Sequence, residues 1–154
     1  MGYVEELRAL VGHQPLILTG AVAILVNENG EILLQERTSP KRTWGLPGGL
    51  MELGESTEET AKREVYEETN LRIEQLKLIN IFSGADYYTV APNGDQFYSV
   101  TTAYYTTDYQ GELRSNPEEA CRCEFISPHQ LPEKMIGSHR KMIIEYVEKF
   151  SSEK

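Results

Sequence analysis

Apolar residues recur at helical spacing from the start of the chain. In YVEELRALV, Val4, Leu7 and Val11 fall on one side, which predicts a short amphipathic helix over residues 3–11. Two strands are predicted next, at 16–26 and 31–37, joined by the Asn-Glu-Asn-Gly turn at 27–30. Residues 43–55, TWGLPGGLMELGE, have no usable periodicity and read as a glycine-rich loop. A helix over 57–69 follows. Ser56 with Glu59 three residues on forms a capping box, Ala61 and Val65 mark an apolar stripe, and Asn70 suits a left-handed C-terminal cap. Strand-like runs occupy 72–83, 86–91 and 96–107, and the turn Pro92-Asn93-Gly94-Asp95 makes a hairpin of the last two. A further strand fits 121–127. A C-terminal helix over 138–150 carries Met142, Ile143, Tyr146, Val147 and Phe150 on one side. This order predicts an α/β (α+β) fold with a mixed sheet between helices, in one domain over residues 1–154 with residues 1–13 as a helical extension.

Size and composition narrow the class. The 154 residues suffice to bury a core without disulfide or metal staples, and 40% hydrophobic with 25% charged residues is ordinary for a soluble globular protein. No apolar run approaches a membrane span, and the first residues lack a basic segment followed by an apolar one. The expected location is therefore the cytoplasm, with no membrane partner. Cys121 and Cys123 stand two apart in one strand, where pairing would strain a disulfide, and no second Cys/His cluster completes a zinc site. They read as reduced, space-filling residues. A net charge of −9 argues against a nucleic-acid polymer as partner.

The acid is unevenly placed. Between residues 52 and 68, Glu52, Glu55, Glu58, Glu59, Glu64, Glu67 and Glu68 face only Lys62 and Arg63. Glu64, Glu67 and Glu68 stand at i, i+3 and i+4, neighbouring positions on a helix where like charges repel. A divalent cation reverses that cost, because carboxylate oxygens are hard ligands for Mg²⁺ or Mn²⁺. Taken alone, the cluster reads first as a solvated polar face relieved by Lys62 and Arg63. The preceding loop adds weight to the metal. Gly45, Gly48 and Gly49 surround Pro47, and Gly54 sits just before the helix. Glycines let a backbone approach a ligand, with carbonyls for a metal and amides for phosphate, although an ordinary strand–helix connection also uses them.

These residues resemble the Nudix family, whose signature is G-x5-E-x7-R-E-U-x-E-E-x-G-U with U aliphatic. The sequence supplies Gly49, Glu55, Arg63, Glu64, Val65, Glu67, Glu68 and Leu71, so eight of nine specified positions match over 23 residues. Asn70 replaces the last glycine, a change that bears on helix termination rather than chemistry. Trp44-Gly45-Leu46-Pro47-Gly48 and the strand order over about 16–150 are also similar to the family. The resemblance implies a Nudix α/β/α sandwich. It also implies hydrolysis of a phosphoanhydride in a nucleoside diphosphate linked to another moiety, by in-line attack of a metal-bound water. Glu64, Glu67 and Glu68 would bind the metals, one acting as general base; Gly48 or Gly49 would add a carbonyl. Glu55 would support the site directly or through Arg63. Glu119, with Glu118 second, stands where family members add a distal carboxylate ligand.

Substrate choice lies outside the signature. Tyr87 and Tyr88 follow Leu71 near where the family's diadenosine polyphosphate hydrolases carry a stacking Tyr, though the segment is tyrosine-rich anyway. ADP-ribose pyrophosphatases tend to place a Pro there, and Pro92 comes late for that. Trp44, Phe82, Tyr87 and Tyr88 are candidates to stack on a base or to fill the core. Arg42, Lys41, His139 and Arg140 are candidate phosphate contacts or plain surface residues. Nucleoside triphosphates, ADP-ribose or nucleotide sugars, and diadenosine polyphosphates all remain open. So does a non-catalytic, nucleotide- or protein-binding role, although such domains usually lose the signature glutamates. The N-terminal helix serves a homodimer as readily as it caps the core.

Overall fold

The computed structural model describes residues 2–38, 42–118 and 120–150, without the side chains of residues 120 and 121. Its order is α1 (Tyr3–Val11), β1 (Leu16–Leu25), β2 (Ile32–Arg37), β3 (Thr43–Gly45), β4 (Gly48–Leu50) and α2 (Thr57–Thr69). Then come β5 (Arg72–Ile73), β6 (Lys77–Phe82), β7 (Tyr88–Val90), β8 (Gln96–Thr106), β9 (Tyr109–Gln110), β10 (Ala120–Ile126) and α3 (Gly137–Phe150).

From Gly20 onward, β1 is buried on both sides. Val22, Ile24 and Val26 pack with Met142, Ile143 and Tyr146 of α3. The alternate residues Ala23 and Leu25 meet Val65 of α2, and Ala21 meets Ala61. Leu34 and Leu33 of β2 divide between the same two sides. Side chains alternate along a strand, so β1 and β2 form the middle layer of an α/β/α sandwich, with α2 and α3 on opposite faces. Ile24, Leu25, Leu33 and Leu34 have no exposed surface, and each such burial contributes about 1.5–3 kcal/mol.

The main sheet runs β4-β1-β8-β6, with β7 also pairing with β8. The β1–β8 pairing is parallel over its whole length, from Leu16↔Phe97 to Leu25↔Thr106, and the other pairings are antiparallel. A second sheet runs β10-β2-β3, and β5 with β9 makes a small third.

Three expectations change. Residues 43–55 contain two short strands rather than only a loop. The reason is close approach: a Cβ on Gly20 would stand 2.6 Å from the Gly49 carbonyl oxygen, and one on Gly48 would meet Ala21 O at 2.3 Å. Strand pairing there requires glycine on both sides. The run at 72–83 splits, because β5 pairs with β9 while β6 pairs with β8. The run at 86–91 opens with a 3-10 turn, Ala85–Tyr87, before β7. Among the described residues, no helix is long and apolar enough to cross a membrane.

Candidate active site

The helix α2 is fixed at both ends as its sequence dictates. Ser56 Oγ accepts from Glu59 N–H at 3.0 Å while Glu59 Oε1 accepts from Ser56 N–H at 2.8 Å. Asn70 closes the helix in the left-handed region with φ 68°, its N–H donating to Tyr66 O. Ala61, Val65 and Thr69 turn into the core, which leaves Glu64, Glu67 and Glu68 along the side that meets β4.

Three carboxylates converge on Arg63. Its Nε donates to Glu55 Oε2 at 2.5 Å and its Nη2 to Glu55 Oε1 at 2.9 Å. Its Nη1 reaches Glu64 Oε1 at 2.9 Å and Glu67 Oε1 at 3.2 Å, and Nη2 also reaches the Leu50 carbonyl at 3.2 Å. Glu55 accepts further from Thr60 Oγ1 and from Glu52 N–H. The Arg63 hydrogen bond, ahead of burial's opposing effect, draws the Glu55 carboxyl down to about 2. In return Glu55 raises the Arg63 guanidinium above its ordinary value.

Glu68 lies deeper, 6% exposed. Its Oε1 accepts from Gly48 N–H at 3.1 Å and from Gln35 Nε2 at 3.0 Å. Glu64 lies against the strand backbone, since a Cβ on Gly49 would stand 2.4 Å from its Cδ. Carbonyl directions alternate along β4. Pro47 O accepts from Ala23 N–H and Met51 N–H donates to Thr19 O, so the odd residues serve the ladder with β1. Gly48 points the other way, its N–H already on Glu68, and a strand residue's C=O lies on the same side as its N–H. Of Gly48 and Gly49, it is therefore Gly48 whose carbonyl faces the glutamates.

A NUDIX domain model matches residues 17–146. The chain belongs to the Nudix family. It is 32% identical over 136 residues to an ADP-ribose pyrophosphatase of Methanocaldococcus jannaschii, covering 86% of this chain and 76% of that protein. It is 28% identical over 121 residues to a MutT-like protein of Streptomyces ambofaciens, covering 79% and 71%. Among solved structures, the MutT NUDIX hydrolase of Burkholderia pseudomallei superposes with a TM-score of 0.71 at 27% identity, over 86% of this chain and 98% of that one. The protein is thus an enzyme of the Nudix hydrolase class, and α1 lies outside the matched segment.

The groups of this Nudix box that could hold a metal, Glu64, Glu67, Glu68 and the Gly48 carbonyl, all offer oxygen, the donor type that suits a hard divalent cation. Among the described residues, no three His, Cys, Asp or Glu side chains are already gathered into a metal cage. Arg63 instead holds Glu64 and Glu67 together, and Glu67 is the most exposed of the three, at 50% of its side chain. Glu119 lies outside the described residues, as does Lys41. Glu118 is exposed.

The contact candidates outside the box are not brought to the carboxylates. Trp44 is 8% exposed in the core on the α3 side, with the Arg122 guanidinium 5.2 Å from its ring centroid. Tyr87 packs edge-on to Phe82 beneath Lys141. Tyr88 lies on β7, with β1 and β8 between it and β4, about 14 Å at three strand spacings. Arg42 is exposed in the β2–β3 connection with φ 61°. His139 is half-buried and engages the backbone of Leu46. Its Nδ1 accepts the Leu46 N–H at 3.0 Å, and burial, aided by the Arg37 charge, pushes it down to about 3. Arg140 donates to the Pro132 and Glu133 carbonyls.

Sequence reading missed Gln35, Gly20 and the helix–loop tie from Tyr3 N–H to Glu52 Oε1 at 2.9 Å. Only Gln35 left a signal, as an amide in the apolar run ILLQ. Cys123 is a free thiol, held protonated by burial that pushes it up to about 11.

Proposed function

We propose that this Nudix hydrolase cleaves a phosphoanhydride bond in a nucleoside diphosphate linked to another moiety, using Mg²⁺ or Mn²⁺ at the box. The observation that carries the reading is the set Glu64, Glu67 and Glu68 on one side of α2, with Glu68 on the Gly48 N–H and Glu64 against Gly49. A divalent ion bound there lowers the pKa of water and neutralises charge on the leaving phosphate. The chain's own groups supply the rest. Glu68, fixed by Gly48 and Gln35, presents a preset carboxylate. Glu64 rests on Gly49. Glu67, the most exposed of the three, is placed to turn from Arg63 toward the substrate side and take a proton from attacking water. Glu119 is retained as a proposed further ligand.

ADP-ribose is the first substrate to test, because the relative at 32% identity is named for it. Nucleoside triphosphates follow, then nucleotide sugars and diadenosine polyphosphates. Chromatographic detection of the nucleotide products across that set, with and without Mg²⁺, tests the reading together with Glu67→Gln and Glu68→Gln. Both variants are expected to retain the fold and lose nearly all turnover. A double variant that stays active without added metal would overturn the assignment.

A further inference from the structure

Gln35 sits at the centre of a buried polar chain that the Nudix signature does not include. It is 2% exposed, on the side of β2 that faces α2, next to the fully buried Leu33 and Leu34. Its Nε2 donates to Glu68 Oε1 at 3.0 Å, the same oxygen that takes the Gly48 N–H at 3.1 Å. On the other end of the amide, Gln35 Oε1 accepts from Cys123 Sγ at 3.9 Å. Cys123 is the register partner of Gln35 on β10. The two ends of the amide are therefore chemically assigned. Rotating it by half a turn would place a carbonyl against a carboxylate and an NH₂ against a thiol hydrogen, two donor–acceptor mismatches in a dry setting.

We propose that Gln35 is a positioning residue that sets the orientation of the Glu68 carboxylate for the divalent cation. The inference rests on the reading of Glu68 as a metal ligand. Two donors on one oxygen constrain a carboxylate's plane as well as its position, which one donor does less well. Groups that orient a metal-binding side chain carry roughly 10–100-fold in metal affinity. A residue that merely filled the core would carry none.

The test measures Mn²⁺ binding to the full chain by electron paramagnetic resonance, with no substrate present. Gln35→Met keeps the volume and removes the amide; it is expected to weaken Mn²⁺ binding about 10-fold or more while the metal-free melting curve stays cooperative. Glu68→Gln is titrated in parallel. If Glu68→Gln weakens binding and Gln35→Met binds as the wild type does, the positioning role is overturned and the proposed metal site stands. If Glu68→Gln itself binds normally, the metal site is overturned and this inference falls with it. Should Gln35→Met fail to fold, Gln35→Asn decides by the same criterion, because it keeps the amide but withdraws it from Glu68 by one methylene.

Discussion

Arg63 grips Glu55 side-on, with Nε on one carboxylate oxygen at 2.5 Å and Nη2 on the other at 2.9 Å. That geometry uses two of the three guanidinium nitrogens and aims the third, Nη1, at Glu64 and Glu67. Arg63 thus links Glu55 to Glu64 and Glu67. Since the Arg63 hydrogen bond draws Glu55 down to about 2, the pair stays ionised at any pH where the enzyme would be assayed.

Arg63→Lys should break this arrangement while preserving the charge. A lysine has one donor atom and cannot span both Glu55 oxygens while also reaching Glu64 and Glu67. Turnover at saturating metal is expected to drop about 10–100-fold. Steady-state kinetics checks this, and a Lys variant with wild-type turnover would show that the fork geometry is irrelevant.

Gly49→Ala should damage the site more than the fold. The new Cβ would meet the carboxylate end of Glu64, a flexible group that can move aside. The expected result is a melting temperature close to the wild type with severely reduced turnover. Gly48→Ala should do worse on stability, since its Cβ would run into Ala21 O and Val22 Cα, both backbone atoms. Paired thermal melts of the two variants separate the cases.

His139 should make the protein acid-sensitive. Its folded pKa is lowered to about 3 by burial first and by Arg37 second, against about 6.5 unfolded. Below pH 6.5 the unfolded chain takes up a proton that the folded chain refuses, so stability falls as pH drops, by about 1.4 kcal/mol per pH unit. The loss levels off near pH 3. His139→Gln removes this contribution, so urea melts from pH 7 to pH 4 should show a shallower decline for the variant. Parallel slopes would refute the assignment.

Glu52 should couple α1 to the box. Its carboxylate accepts the Tyr3 N–H and its own N–H donates to Glu55 Oε1 at 2.9 Å. At the other end of α1, Arg8 donates to Gln96 O at 2.6 Å and pairs with Asp95 at 3.6 Å. Glu52→Ala is expected to speed amide hydrogen exchange in residues 3–6 and 51–55 and to leave the β7–β8 hairpin unchanged. An unaltered exchange pattern would mean that α1 docks independently of the loop.

Local order fixed much of this protein in its sequence. The caps of α2 at Ser56, Glu59 and Asn70 lie as read, because capping depends on residues within one turn of each other. The i, i+3, i+4 spacing of Glu64, Glu67 and Glu68 put three carboxylates along one helix side for the same reason, and the exact positions of Gly49, Glu55 and Arg63 made the family legible. Whatever depends on residues distant in sequence belonged to the tertiary structure. The parallel pairing of β1 with β8 spans some 80 positions, strand 43–45 forms against β2, and strand 48–50 forms where glycine lets β4 and β1 approach closely. Trp44 read as a base contact or as core, and packing on the α3 side made it core; His139 read as a phosphate contact or a surface residue, and the Leu46 N–H engages its ring instead. Glu55 read as supporting a metal site directly or through Arg63, and the structure adds that Arg63 spans both its oxygens. Gln35 meets Glu68 across 33 positions, a contact that no local pattern encodes.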